Sequence, residues 1–251
     1  KIPIWPILKP KKLEKNHKSD LLKPIFFNQL VSPENRTPRT LDLEITKKDS
    51  QKLILFCKKN NITVTQLFSA LFVKSFCITI NLNKTNLYTA VSLRSKQFTS
   101  KPVLHMGCNI TVVKTVPLDV NESILSLARD CGQQLDQAIH HWHPVSTTHT
   151  DIRKHVKSFA KASKSAGIAI TNVGNLSDSD FKGGIKPLAF RTVVNRIGAN
   201  YAVVLHLMSL NNHLRAVLSF SDPVISFHKM EIMKAKFKSL VNECCNGVIN
   251  L

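Results

Sequence analysis

The sequence has 251 residues, is 43% apolar, and carries 35 Lys and Arg against 16 Asp and Glu, a formal charge of +19. That length holds one large domain or two small ones, and the apolar share excludes a disordered or fibrous chain. No run of about eighteen or more apolar residues occurs, so no segment reads as a membrane-crossing helix.

Residues 1 to 40 carry prolines at 3, 6, 10, 24, 33 and 38 and the densest lysine run, Lys9 to Lys23, so they read as an extended linker. The chain opens on Lys1-Ile-Pro-Ile-Trp-Pro6, with no initiator Met and no signal or transit peptide, and is expected to be a piece of a longer polypeptide. The core begins at Leu41-Asp-Leu-Glu-Ile45, which alternates as a half-buried strand does. Asp49 and Ser50 then open a short helix containing Leu53, Phe56 and Cys57, ended by Asn60 and Asn61.

Thr63 suits the N-cap of the next helix, whose Val64, Leu67, Phe68, Leu71, Phe72 and Phe76 keep the 3.6-residue period. Leu87 to Leu93 and Asn109 to Val116 are strands, the second rich in β-branched residues. Asn121 can cap a helix in which Ile124, Ala128, Cys131, Leu135 and Ala138 share one face. His140 to His149 is polar and turn-like, and Asp151 starts a basic helix toward Ser163.

The stretch Gly167 to Leu176 is a buried strand that breaks into a tight turn at Asn172, Gly174 and Asn175, placing polar groups where a cavity would lie. Ile185 to Val194 is extended, and Asn200 to Leu210 is apolar on both faces and therefore interior. Asn211-Asn212-His213 turns it back into Leu214 to Phe220 as a hairpin, and Asp222-Pro223 breaks that strand. Ser226 caps a last helix burying Met230, Met233, Phe237, Leu240 and Val241, with Gly247 as its stop. The result is an α/β (α+β) two-layer sandwich, a mixed β-sheet packed by helices.

Cys57, Cys77, Cys108, Cys131, Cys244 and Cys245 include no C-x-x-C pair, and several fall on apolar helix faces as small hydrophobes. That usage points to a reducing, cytoplasmic compartment, and the glycosylation-type triplets at Asn61 and Asn109 are then chance matches. The charge favours anionic partners, but the lysines are spread along the chain as on ordinary solvated faces. Most Phe residues sit at core periodicity rather than interleaving with a basic stripe, which argues against nucleic acid. His140, His141, His143, His149 and His155 invite a metal, yet no Cys, Asp or Glu set accompanies them at ligand spacing, so no metal is assigned. A G-x-S-x-G elbow and phosphate-cradling loops are missing too, Gly183-Gly184 lacking either glycine-rich context. His206, on an interior strand, reads as a hydrogen-bonded core residue.

One order of short motifs carries a resemblance: Ile62-Thr-Val-Thr-Gln-Leu67 opening a helix, a strand ending in Ser92-Leu93-Arg94, Gly107-Cys-Asn109 before a strand, Thr171-Asn-Val-Gly174, and Leu218-Ser-Phe-Ser-Asp-Pro223 before a terminal helix. Over residues 41 to 245 this resembles the C-terminal lobe of the condensation-domain and alcohol acetyltransferase superfamily, two-lobed acyltransferases whose lobes each resemble chloramphenicol acetyltransferase. The resemblance implies a 41–251 lobe and an acyl group carried as a thioester on coenzyme A or a carrier-protein pantetheine arm, passed to an alcohol or amine. It implies a tunnel between two lobes, walled here by Thr171, Asn172 and Gly174, and a structural role for Arg94, more as a salt-bridge partner than a substrate ligand. In such proteins a His of an H-H-x-x-x-D motif in the N-terminal lobe is the general base or positions the acceptor.

His140-His141-Trp-His-Pro-Val145-Ser146 is a decoy, with Val145 where that motif has Asp and Ser146 where Gly is needed, and no other H-x-x-x-D occurs. Ser92 likewise stands where Asp or Asn is frequent. The catalytic residue is therefore unknown in this chain and is expected in an N-terminal lobe, which becomes the first partner. A lobe kept only for protein interaction, and a basic nucleic-acid-binding module, remain as alternatives.

Overall fold

The computed structural model describes residues 28, 29, 31–93, 110–142, 167–177, 186–194, 201 and 203–247. Its main sheet has six strands in the order β1-β8-β7-β6-β3-β4. These are β1 (Thr37–Leu43), β3 (Leu87–Ser92), β4 (Ile110–Lys114), β6 (Ile168–Leu176), β7 (Val203–Leu210) and β8 (His213–Asp222). β6 runs parallel to both β3 and β7, and the outer pairs are antiparallel, so the sheet is mixed. A small ribbon pairs β2 (Lys84–Thr85) with β5 (Leu118–Asp119).

Four helices among the described residues, α1 (Lys47–Lys59), α2 (Val64–Ile80), α3 (Ile124–His140) and α4 (Phe227–Asn246), complete the lobe. α2 is apolar nearly all round, as a helix enclosed by neighbours must be, and lies against α3 on one side and α4 on the other. Phe68 of α2 meets Phe237 of α4 with ring centroids 5.8 Å apart, and both side chains are fully buried. Alternate strand residues, including Leu87, Ile168, Ile170, Leu205, Leu218 and Phe220, share one continuous core with the helices.

The opposite set, Val204, His206, Met208, Val217 and Ser219, is buried on the other face of the sheet, away from the four described helices. There the 186–194 segment crosses the sheet: Arg191 donates to Thr40 Oγ1 at 3.0 Å and pairs with Asp42 at 3.4 Å, and the Thr192 amide donates to Met208 Sδ at 3.4 Å. His206 Nε2 lies 2.9 Å from Ser219 Oγ, the hydrogen-bonded core placement that its strand position predicts.

β7 is buried at every position, as an interior strand requires. Asn211 (φ 49°) and Asn212 (φ 62°) make the two-residue turn into β8, whose twist needs positive φ at both places. Asn tolerates that region better than any other residue with a Cβ.

Some boundaries differ from the sequence expectation. Of the 1–40 linker, residues 1–27 lie outside the described part, but Asn28 donates to the Val224 carbonyl and Thr37 to Thr40 already pair with β8. An edge strand tolerates Pro38, and its exposed start shows no hydrophobic alternation to reveal it. α1 is capped by Thr46, whose hydroxyl accepts from the Asp49 amide, so Asp49 sits inside the first turn. α3 is capped by Ser123, because Asn121 is engaged with Asp119 in the preceding turn. Ala138 is exposed. The predicted helix from Asp151 lies outside the described residues.

Candidate functional site

The end of β6 shapes the site. Its register against β7 shifts between Asn172 and Asn175, and Gly174 there takes φ 96°, a conformation that glycine alone adopts without steric penalty. The Asn172 carboxamide oxygen accepts the Gly174 amide at 2.8 Å, closing an Asx turn. Its nitrogen donates to Thr65 Oγ1 in the first turn of α2 at 2.9 Å. One side chain thus holds the strand end and also fixes it to a helix 107 residues earlier in sequence.

The helix end it grips is itself locked. Thr63 Oγ1 accepts the Gln66 amide at 3.2 Å while Gln66 Oε1 accepts the Thr63 amide at 2.6 Å, a reciprocal capping box worth about 1 kcal/mol. The Gln66 side chain occupies the space that a Cβ on Gly132 of α3 would need. Glycine at 132 therefore lets α3 close on the start of α2.

Between these strand ends and the two helices opens a cleft of about 360 Å³. Its wall is rich in hydroxyl and amide groups, from Thr63, Thr65, Gln66, Ser69, Thr89, Ser92 and Asn172, with Ala90, Cys131 and Leu135 as apolar surface. Among its described lining residues Asp136 is the one with an ionisable carboxylate and none is Lys, Arg or His. Burial pushes the Cys131 thiol up to about 12, so it stays protonated at neutral pH and is no nucleophile. The cleft can orient an uncharged, hydrogen-bonding molecule, and among its described lining residues Asp136 carries the one group of the general-base type and no imidazole is present. A second hollow of about 400 Å³ runs along α3 from Ser123 to Gln133, and among the described residues that helix and its cap alone line it.

Of the residues singled out from sequence, Asn172 and Gly174 line the cleft. Thr171 stands opposite His206 in the β6–β7 register and shares its sheet face; it is not among the described lining residues, although Ala90, its partner on β3, is. Arg94 lies outside the described residues. The supposed turn at His140 is corrected at its start: His140 ends α3 and His141 is its C-cap, with Nδ1 2.8 Å from the Gln137 carbonyl. His143, His149 and His155 lie outside the described part, and among the described residues no group of His, Cys, Asp or Glu can hold a metal ion.

Thr65, Gln66, Ser69 and Gly132 were not legible as site residues. Their one sequence signal is a polar patch at 65, 66 and 69 in the first turns of a largely apolar helix.

No protein-family model matches this sequence, and no curated protein does. Solved structures do match in fold. The epimerization domain from the third module of tyrocidine synthetase B superposes with TM-score 0.63 at 9% identity, over 89% of this chain and 51% of that one. The PapA2 acyl transferase gives 0.58 at 11%, over 87% and 47%, and vinorine synthase 0.53 at 19%, over 84% and 49%. The lobe therefore has the fold of a condensation-domain and chloramphenicol acetyltransferase-like lobe, as the resemblance implied, and the chain spans about half the length of these proteins.

Proposed function

We propose that this chain is the C-terminal, acceptor-side half of an acyltransferase that moves an acyl group from a thioester to an alcohol or amine. The observation that carries the reading is the cleft built by Asn172, which ties the β6 end to the first turn of α2 in a fold that spans about half the length of the matched chains. The thioester is acyl-coenzyme A or a carrier-protein pantetheine. Its uncharged arm, with amide donors and acceptors, suits a wall of hydroxyls and carboxamides. Because no cation is among the described lining residues, the nucleotide phosphates of a coenzyme A donor would bind away from this wall.

The chain's part is then to orient the thioester and the acceptor and to exclude water, while a companion N-terminal lobe supplies the imidazole that takes the acceptor's proton. The acceptor oxygen or nitrogen attacks the thioester carbonyl, the carbon–sulfur bond breaks, and the thiol leaves with a proton.

Release of free thiol from a panel of acyl-coenzyme A and acyl-pantetheine thioesters, with alcohol and amine acceptors, tests this. The whole polypeptide containing the lobe should turn over at least one pair, and the 251-residue chain alone should not. Turnover by the isolated chain, or none by a whole polypeptide carrying an intact H-H-x-x-x-D motif, would contradict it.

A further inference from the structure

The Gln66 side chain is held at one end and open at the other. Its Oε1 accepts the Thr63 amide at 2.6 Å, which settles how the carboxamide is turned. A backbone N–H can be met only by the oxygen, so the nitrogen points away from the cap. Nε2 then lies against α3, in the place that a Cβ on residue 132 would take, and glycine there leaves it room. The next atoms nearest that place are Cδ and Cγ of the same residue, so the whole side chain is seated in the notch at Gly132.

Nε2 carries two N–H donors, and neither reaches an acceptor on any described residue, although Gln66 lines the cleft. The side chain is half-buried, so water reaches it from the cleft side only in part. A donor of this kind is prepared for a ligand. Its rotamer is already fixed by the capping box and by the notch, so a hydrogen bond from it costs little further side-chain entropy. Asp136, one turn beyond Gly132 on α3, lines the same cleft. An anion would meet its carboxylate, and the acceptor that suits Nε2 is therefore an uncharged carbonyl oxygen.

We infer that Gln66 is a binding residue, whose Nε2 donates a hydrogen bond to a carbonyl oxygen of the molecule held in the cleft. On the functional reading above, on which this inference rests, that carbonyl belongs to an amide or to the thioester of the acyl donor. The capping box makes the donor rigid and Gly132 admits it, so one side chain caps a helix and contacts the ligand.

Titration of the 251-residue chain with S-acetylpantetheine, an uncharged thioester bearing amide carbonyls, tests this by nuclear magnetic resonance. The Gln66 side-chain N–H protons should move downfield and exchange more slowly with water as the probe saturates. Gln66→Glu should raise the dissociation constant about tenfold, because a carboxylate still accepts the Thr63 amide but offers a carbonyl no donor. Its urea midpoint should be no lower than the parent's, since Glu serves a capping box as well as Gln does. Gly132→Ala should weaken binding too, its methyl group taking the place of Nε2, with helix content retained by circular dichroism. Unmoved Gln66 protons with the probe bound, unchanged affinity in Gln66→Glu, no binding at millimolar probe, or weaker binding only alongside a lower urea midpoint overturns the inference. Neither an acceptor nor turnover enters the measurement, so the two readings separate. Binding through Gln66 without turnover by the whole polypeptide removes acyl transfer alone, and turnover whose kcat/KM is unchanged in Gln66→Glu removes the Gln66 contact alone.

Discussion

Raising the pH from about 7.5 to about 10 is expected to bring this lobe close to unfolding at 25 °C, seen as a collapse of the urea midpoint. The cause lies in four thiols. Burial pushes Cys57, Cys77, Cys131 and Cys244 each up to about 12, since a thiolate loses its hydration in the apolar core. In the unfolded chain the same thiols ionise near 8.5. Between those values the folded state holds more protons than the unfolded state, so stability falls as pH rises; below about 8.5 the contribution is fully present.

At pH 10 each thiol then removes about 2 kcal/mol, and four remove roughly 8, as much as an ordinary domain possesses. Loss of lysine charge near that pH relieves self-repulsion and acts in the opposite sense, so it cannot mimic the effect. Replacing all four cysteines by alanine should flatten the dependence between about pH 8.5 and 10. An unchanged midpoint in the parent, or the same fall in the variant, would show that the thiols are not held neutral by the core.

On the proposed acyl-transfer reading, Asn172→Ala is expected to lower kcat/KM of the whole polypeptide by about two orders of magnitude, because a displacement near 1 Å of a positioning wall costs that much. The substitution removes both the donor to Thr65 and the acceptor of the Gly174 amide. Stability should fall by only about 1–2 kcal/mol, the usual loss for such bonds, leaving a folded protein to assay. Asn172→Asp is the informative companion: a carboxylate still accepts from Gly174, and the Thr65 hydroxyl can turn to donate to it. Recovery of turnover in that variant together with its loss in the alanine variant assigns Asn172 to positioning. Full turnover in the alanine variant would reduce Asn172 to a local turn former.

How far these features could be read beforehand depends on what fixes each element. α4 was legible because its burial follows one helical period, α2 because its apolar run is long and unbroken by Gly or Pro, and their caps, Thr63, Ser226 and Gly247, act within a few residues. The β7–β8 hairpin was legible for the same reason, its two asparagines being a local solution to a local twist. The start of β1 and the strands β2 and β5 were not, since exposed or two-residue pairings leave no pattern of their own. The caps of α1 and α3 were misplaced because Asp49 and Asn121 are good capping residues that serve neighbouring roles, and the hydroxyls of Thr46 and Ser123 reach the helix first.

The site divides along the same line. Asn172 and Gly174 announce a broken strand end, whereas the sheet face that Thr171 takes is a consequence of register that only the neighbouring strands determine. Thr65, Gln66 and Gly132 enter through packing of helices distant in sequence, and nothing local distinguishes Gly132 from any other helical glycine until Gln66 fills its place.

The most direct measurement is the structure of the whole polypeptide bound to an unreactive thioester analogue. The analogue should pass between two lobes with its amide-bearing arm in contact with Asn172 and Thr65, and an imidazole from the companion lobe should face its carbonyl. An analogue seated elsewhere, or a base supplied from within these 251 residues, would contradict the account.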